Sequence, residues 1–173
     1  MFIGKTVNTS IMNKTYVGID IGLNGGIAIF YPDGHIEKAK MPVIGKVIDT
    51  PSLVSIINIP EAVVVFEDLG IIFGSSKKTA FSMGYQVGLL EGACTTLKLP
   101  YHKVKAKLWQ KEMFQGVPEL IKSGKRDTKG MALVACQRIF PGYDLTFTER
   151  AKKPHDGLVD AILIAEYAKR KNL

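Results

Sequence analysis

The chain has 173 residues, enough for one domain with a full hydrophobic core. Its content of 46% hydrophobic and 23% charged residues is ordinary for a globular protein, and no apolar run reaches the roughly 18 residues of a membrane span. Lys and Arg outnumber Asp and Glu by 23 to 16, and the net charge of +7 favours a polyanionic partner such as nucleic acid.

The N-terminal residues are polar and unpatterned, so we expect a flexible extension (1–14) followed by a single domain (15–173). Cys94 and Cys136 each lie in an apolar, helix-like stretch, and neither has a second cysteine or a histidine at zinc-ligand spacing. Two isolated cysteines indicate a reducing compartment more than a disulfide framework. We therefore expect a cytoplasmic protein, and a small stand-alone form would suit a phage or virus gene that acts in a host cell.

The first patterned stretch, residues 16–30, predicts a strand, a glycine-rich turn and a second strand. The run around Val17 and Ile19 indicates a strand buried on both faces, yet Asp20 lies within it. A buried carboxylate is costly unless a metal ion, a basic side chain or backbone donors pair with it. Asp20 is therefore a candidate metal ligand, and the alternative is an aspartate that caps its own turn.

Two further elements precede the next buried strand. The turn sequence Pro-Asp-Gly-His at 32–35 leads into a third antiparallel strand over residues 36–41. Thr50-Pro51 is typical of a helix start, and we expect this helix to end before Pro60.

Residues 62–68, Ala-Val-Val-Val-Phe-Glu-Asp, predict a central parallel strand that ends in two carboxylates. Sites in open α/β sheets lie at the carboxyl ends of strands. Side chains alternate along a strand, so only one of Glu67 and Asp68 should face the site. We select Glu67 and expect Asp68 to lie at a solvated strand end.

A long helix over residues 77–97, capped by Ser76, carries Gly84, Gly88 and Gly92 at every fourth position. Glycine destabilises a helix by roughly 1 kcal/mol relative to alanine. Three glycines on one face predict close backbone approach, either to the sheet or to a second subunit.

The next stretch completes a predicted α/β fold, a mixed five-stranded sheet flanked by helices. Residues 101–106 predict the fifth strand, 107–114 a short amphipathic helix with Trp109, and 115–126 a mobile loop. Asp127 or Thr128 then caps a helix.

The last helix, predicted to start at Pro154, carries two carboxylates at its entrance. Its body is apolar nearly all round, so it should pack deep in the fold. Asp156 and Asp160 are four residues apart and share a face, in the first two turns, where the helix dipole favours negative charge. We identify both as candidate metal ligands.

The four carboxylates come from three distant segments that a mixed sheet can bring to one edge. Together they would carry a charge of about −4, which two divalent cations would balance. Oxygen ligands suit Mg²⁺ or Mn²⁺ better than zinc. Two such ions roughly 4 Å apart support in-line attack of water on a phosphodiester.

This ordered set of motifs resembles the RuvC-type Holliday junction resolvases of the ribonuclease H-like superfamily, over nearly the whole domain. The matching motifs are Gly18-Ile19-Asp20-Ile21-Gly22, Val65-Phe66-Glu67, Gly84-Tyr85-Gln86-Val87-Gly88 and His155-Asp156-Gly157-Leu158-Val159-Asp160-Ala161.

The resemblance implies a ribonuclease H-like fold, a homodimer and an endonuclease that makes paired nicks in four-way DNA junctions. It implies two Mg²⁺ ions per active site, with Mn²⁺ able to substitute. Asp20, Glu67 and Asp160 take the positions of catalytic, metal-binding acids.

The fourth acid departs from the pattern of the bacterial members, which commonly space the last two acids three residues apart. That spacing falls on Gly157 in this chain. Asp156 is the nearest carboxylate, and His155 is an alternative metal or base residue. The choice between them stays open.

Family members also have an aromatic residue in the loop after the glutamate strand, placed to stack on or between bases at the junction. Phe73 is the best candidate, although it lies further from the acid than in bacterial members, and the alternative is a core or dimer contact. Lys105, Lys107 and Lys129 are candidates for contact with the DNA backbone.

Three other functions fit part of the pattern. Another ribonuclease H-like nuclease, acting on flaps, forks or RNA, would use the same acids. A phosphotransferase of the sugar kinase and actin type also begins with a strand, an aspartate and a glycine-rich turn, but it normally needs two copies of the fold. A junction-binding protein without catalysis would gain nothing from acids that repel phosphate.

Overall fold

A mixed sheet with helices on both faces forms the framework of the chain. The computed structural model describes residues 14–70 and 76–173. The strands are β1 (Thr15–Asp20), β2 (Gly26–Phe30), β3 (Ile36–Lys40), β4 (Val43–Ile44), β5 (Val47–Ile48), β6 (Ala62–Glu67), β7 (Tyr101–Val104), β8 (Ile121–Lys122) and β9 (Lys125–Arg126). The helices are α1 (Thr50–Ile57), α2 (Lys77–Thr96), α3 (Ala106–Met113), α4 (Thr128–Ile139) and α5 (Asp156–Lys171).

The main sheet has the strand order β3-β2-β1-β6-β7. The first three strands pair antiparallel, whereas β6 and β7 run parallel to β1. Ile19 in the centre lies opposite Ile27 of β2 on one side and Phe66 of β6 on the other. The predicted mixed five-stranded sheet flanked by helices is confirmed.

Alternation along β1 divides the core into two layers. Val17 and Ile19 pack with α1 and α2 on one face of the sheet. Tyr16 packs with α3, α4 and α5 on the other face, where almost every residue of the α5 body is buried. The apolar pattern of the last helix therefore reflects its place across the centre of the sheet.

Helix α5 meets the two central strands backbone to backbone. A Cβ atom at Gly18 would lie 2.5 Å from the amide nitrogen of Ala165, and one at Gly26 would lie 2.7 Å from the carbonyl oxygen of Gly157. Only glycine fits such an approach without a shift of the backbone. These contacts hold the N-terminus of α5 against the turn between β1 and β2.

Two short hairpins lie outside the predicted elements. The prediction of a mobile loop at 115–126 is wrong in part, because β8 and β9 pair there. Ser123 and Gly124 both have positive φ, 52° and 73°, as a two-residue hairpin turn requires. The other hairpin pairs β4 with β5 directly after β3.

The predicted caps Ser76 of α2 and Asp127 of α4 are confirmed, whereas the other predicted helix starts differ from the structure by one or two residues. Helix α5 begins at Asp156 instead of Pro154, because the intervening His155 is extended and donates its amide to the carbonyl of Leu145 over 2.8 Å. The predicted flexible extension lies almost wholly outside the described residues. Among the helices that are described, none is long and apolar enough to cross a membrane.

Candidate active site

Asp20 and Glu67 lie side by side at the carboxyl ends of the two central strands. They directly follow Ile19 and Phe66, which pair across β1 and β6. Alternation turns both carboxylates toward the layer that holds α3, α4 and α5, as it turns Tyr16. Asp68, one residue further, faces away, and its carboxylate accepts the amide of Gly70 over 3.3 Å.

Asp160 approaches the same place from the second turn of α5. It is partly buried, and its charge interacts with those of Asp20 and Glu67. The preceding turn of α5 holds Gly157, where a Cβ atom would lie 2.8 Å from Oδ2 of Asp20. The structure thus brings three predicted site residues together from β1, β6 and α5.

Burial raises the pKa of all three carboxyl groups, and repulsion from neighbouring carboxylates raises those of Asp20 and Asp160 further. Burial raises the pKa of Asp20 to about 7, with a further increase from the charge of Glu67. Burial also raises the pKa of Asp160 to about 7, with the charge of Asp20 as the next cause. The pKa of Glu67 is raised by burial too. No basic side chain among the described residues forms an ion pair with any of the three.

Trp109 is a site residue that the sequence analysis did not identify. Its indole Nε1 donates a hydrogen bond to Oε1 of Glu67 over 3.1 Å from helix α3, and the ring is 2% exposed. This hydrogen bond lowers the pKa of Glu67 against the effect of burial. A tryptophan on the apolar face of a short amphipathic helix usually finds a partner for its N–H, which is the signal that could have indicated a polar contact.

Asp156 lies at the rim of the site, more exposed than the other three acids. Its side chain is 62% exposed, and Oδ2 accepts a hydrogen bond from Nζ of Lys129 over 2.8 Å. Its charge still raises the pKa values of Asp20 and Asp160. The carboxylates of α5 therefore differ in environment although they share a face.

The close packing at Gly157 leaves no space for a side chain three residues before Asp160. A side chain at Gly157 would meet the carbonyl oxygen of Asn24 and the carboxylate of Asp20, both at 2.8 Å from its Cβ. Asp156, one residue earlier, is free of this contact. A carboxylate at position 157 would therefore require a shift of the hairpin backbone.

Asp20, Asp156 and Asp160 line one cleft, which we call the carboxylate cleft. His155 lies in the wall of this cleft, just before α5. Its ring packs edge-on against Phe147 at a centroid distance of 4.8 Å. Its Nδ1 is buried and has no hydrogen-bond partner among the described residues. The two alternatives for the fourth site residue therefore stay open, with Asp156 at the rim and His155 in the wall.

The donor set fits a hard divalent cation, because it consists of partly buried carboxylates without compensating ion pairs. In the described part of the chain, no three His, Cys, Asp or Glu side chains are already arranged as a metal-holding group. Cation binding would therefore require the carboxylates to rotate closer together. The charge of the cation would offset the repulsion that this movement increases.

The three lysines predicted to contact DNA lie at three different places in the structure. Lys129 lies at the carboxylates, and Lys105 is exposed directly after β7, whose Val104 pairs with Glu67. Lys107 lines another cavity, beneath the β8–β9 hairpin. The predicted aromatic wedge, Phe73, lies outside the described residues.

The sheet order and the helices on its two faces are those of a ribonuclease H-like domain. The chain is similar to a structure of Thermus thermophilus RuvC, with 18% identity and a TM-score of 0.52 over 91% of this chain and 96% of that one. It is also similar to T. thermophilus RuvC in complex with Holliday junction substrate, with 15% identity, the same TM-score of 0.52 and the same coverage of 91% and 96%. No protein-family model matches the chain, and no curated protein matches it in sequence. The resemblance to RuvC is confirmed at the level of the fold.

Because the pKa of Asp20 is raised, replacing this carboxylate by a neutral side chain should stabilise the fold, and the gain should depend on pH. A carboxyl group whose pKa is higher in the folded than in the unfolded state destabilises the fold progressively as pH rises from about 4 to about 7. Without divalent cations, Asp20→Asn should raise the free energy of unfolding by about 1–3 kcal/mol at pH 8 and by less at pH 5. Urea unfolding in EDTA at the two pH values measures this.

Asp156→Asn is the matched control, because it removes the same charge from an exposed carboxylate. Its effect should stay within about 0.5 kcal/mol at both pH values. Equal effects of the two substitutions at pH 8 would contradict the electrostatic account of the site.

Proposed function

We propose that the chain is a metal-dependent endonuclease that resolves four-way DNA junctions by paired, symmetrical nicks. The convergence of Asp20, Glu67 and Asp160 at the ends of the two central strands carries this proposal. The shared fold with RuvC, including the structure solved with a Holliday junction substrate, supports it. The net charge of +7 supports a nucleic-acid partner.

Each carboxylate has a role in this proposal. Asp20 interacts electrostatically with both Glu67 and Asp160, so it is suited to bind two cations, with one of the other acids completing each site. Asp156 or His155 would complete the ligand set. Two Mg²⁺ or Mn²⁺ ions would supply an activated water and stabilise the leaving 3′ oxygen of a phosphodiester. Because the acids repel phosphate, substrate binding depends on these cations and on the lysines around the cleft.

The lysines would hold the substrate through its phosphates. Lys129 lies at the carboxylates and Lys105 follows the strand that pairs with Glu67, whereas Lys107 lines a separate cavity and would contact a more distant phosphate. Phosphate contacts of this kind position a nucleic acid without reading its sequence. Junction geometry would then be recognised by the arrangement of two subunits.

A homodimer is part of the proposal, and the exposed face of α2 is the proposed contact. Apart from the nearby backbone of α2 itself, no described atom lies within 4 Å of a Cβ built at Gly84, Gly88 or Gly92, so the alternative that these glycines pack on the sheet is wrong. Phe81 and Tyr85 are 76% and 54% exposed on the same helix. Small residues flanked by exposed aromatic ones suit close packing against a second copy.

Cleavage of an end-labelled synthetic four-way junction tests the proposed activity. Mg²⁺ should produce paired nicks at symmetrical positions, and EDTA or Asp20→Asn should reduce cleavage to background, because both remove the cation site. Linear duplex, flap, fork and RNA substrates are the controls.

Equal cutting of these controls would instead identify a general ribonuclease H-like nuclease. Tight junction binding without cleavage in Mg²⁺ or Mn²⁺ would contradict catalysis and leave a binding protein. Tight ATP binding would indicate the phosphotransferase.

Trp109, the only tryptophan of the chain, offers a direct measurement of cation binding. Its hydrogen bond to Glu67 should change when that carboxylate binds a cation, so Mg²⁺ should alter the tryptophan fluorescence saturably. Glu67→Gln should abolish this response, whereas Glu112→Gln on the same helix α3 should retain it. A response that persists in Glu67→Gln would show that Trp109 senses something other than this site.

Substitution on α2 tests the dimer. Gly88→Leu should convert a dimer to a monomer, because the new side chain occupies the space that a second backbone needs. The monomer should remain folded, since leucine improves helix propensity by up to about 1 kcal/mol. Light scattering during size-exclusion chromatography measures the mass. Leu108→Gln, at an exposed leucine of α3, should leave the dimer intact, and a dimer that survives Gly88→Leu would place the interface elsewhere.

A further inference from the structure

A second cavity adjoins the carboxylate cleft on the side of α4. It has a volume of about 400 Å³ and lies between the β8–β9 hairpin, α4 and the start of α5. Three lysines line it, Lys122, Lys129 and Lys153, together with Asp156, Asp160 and the helix-capping Asp127, and Leu133 and Val159 form its apolar wall. The sequence analysis assigned no function to Lys122 or Lys153.

The two cavities share a wall. Lys129, Pro154, Asp156 and Asp160 line both the carboxylate cleft and the lysine cavity. The ion pair between Lys129 and Asp156 therefore stands at the boundary between them, with 71% and 62% of the two side chains exposed. Neither Lys122 nor Lys153 pairs with a carboxylate in the described part of the chain.

A cation at the carboxylates would weaken this ion pair. Oxygens of Asp156 that face a divalent cation are less available to Lys129, and the ammonium group would be repelled by the same cation. An exposed ion pair contributes little to stability, so its loss is easily tolerated. The cavity would then have three lysines without an ion pair to a described carboxylate, which is a favourable environment for a phosphate group.

We propose that the lysine cavity is a second phosphate site for the strand to be cut, and that Asp156 occupies the ammonium group of Lys129 by their ion pair until a divalent cation binds. The inference rests on the proposed function, since it takes the carboxylates as the cation site. Asp156 keeps this role with His155 as the cation ligand, because a cation beside Asp20 and Asp160 would still repel the ammonium group of Lys129. Because the coupling between two binding sites is reciprocal, DNA bound in the cavity should also increase the affinity of the carboxylates for the cation.

Junction binding in EDTA tests the site without cations and without cleavage. Asp156→Asn frees Lys129 permanently, so it should tighten binding about three- to tenfold and steepen the dependence on salt by about one phosphate contact. Lys129→Ala in the Asp156→Asn background should remove the gain. In the Asp156→Asn background, Lys122→Ala and Lys153→Ala should each reduce the salt dependence of junction binding, the slope of log K against log[salt], by the equivalent of about one phosphate contact.

Glu112→Gln is the matched control, because Glu112 forms an equally short pair of 2.8 Å with Lys171, at the opposite end of α5. It removes the same charge and the same kind of ion pair, and it should change junction affinity less than twofold. Equal affinities and equal salt slopes of Asp156→Asn and Glu112→Gln would overturn the inference. A gain that survives Lys129→Ala would overturn it as well.

A Ca²⁺ titration separates the inference from the function on which it rests. Ca²⁺ should tighten junction binding by the wild-type chain more than by Asp156→Asn, whose Lys129 is already free. Calorimetry that detects no binding of Ca²⁺ or Mg²⁺ to the wild-type chain would overturn the proposed metal-dependent function. An equal effect of Ca²⁺ on both chains, with cation binding intact, would overturn only the role of Asp156.

Discussion

The backbone approach of α5 to the central strands is the constraint on which the rest of the site depends. At Gly18 and Gly26 a Cβ atom would clash with the helix, and at Gly157 it would clash with the hairpin. This contact sets Asp160 beside Asp20 and leaves no space for a side chain at position 157. The other carboxylate of α5, Asp156, lies one residue earlier at the rim of the site, where Lys129 and solvent reach it. A packing requirement thus determines both the composition and the accessibility of the acid cluster.

The acid cluster is electrostatically unfavourable, and its neighbours reduce the cost in different ways. The pKa values of Asp20 and Asp160 are raised to about 7, so the two carboxyl groups bind protons more tightly than exposed ones do. Trp109 stabilises the ionised form of Glu67 by a hydrogen bond, without adding charge. Lys129 adds charge but remains mostly exposed, so it can be displaced. Such a cluster favours a cation that replaces several protons at once, and its affinity should rise with pH.

Local patterns predicted the sheet from strand periodicity and the two aspartates of α5 from helical spacing. The β-branched run before Glu67 identifies a central strand, and alternation implies that Glu67 and Asp68 face opposite sides of the sheet. Other features depend on tertiary packing: the hydrogen bond of Trp109 requires α3 to dock beside β6, and the role of Gly157 requires α5 to cross the hairpin. The two-residue strands of β8 and β9 are too short for a periodic pattern, although the Ser-Gly turn between them is visible in the sequence.

The two faces of the sheet separate the proposed substrate surface from the proposed subunit contact. Helix α2 packs with α1 on the face that holds Val17 and Ile19, whereas Asp20 and Glu67 turn toward α3, α4 and α5. A second copy docked on the glycines of α2 would therefore leave both carboxylate clefts and both lysine cavities open. A junction has two equivalent strands to cut, and a two-fold dimer of this kind would present two equivalent sites. The position of α2 thus makes dimer formation compatible with substrate binding in each subunit.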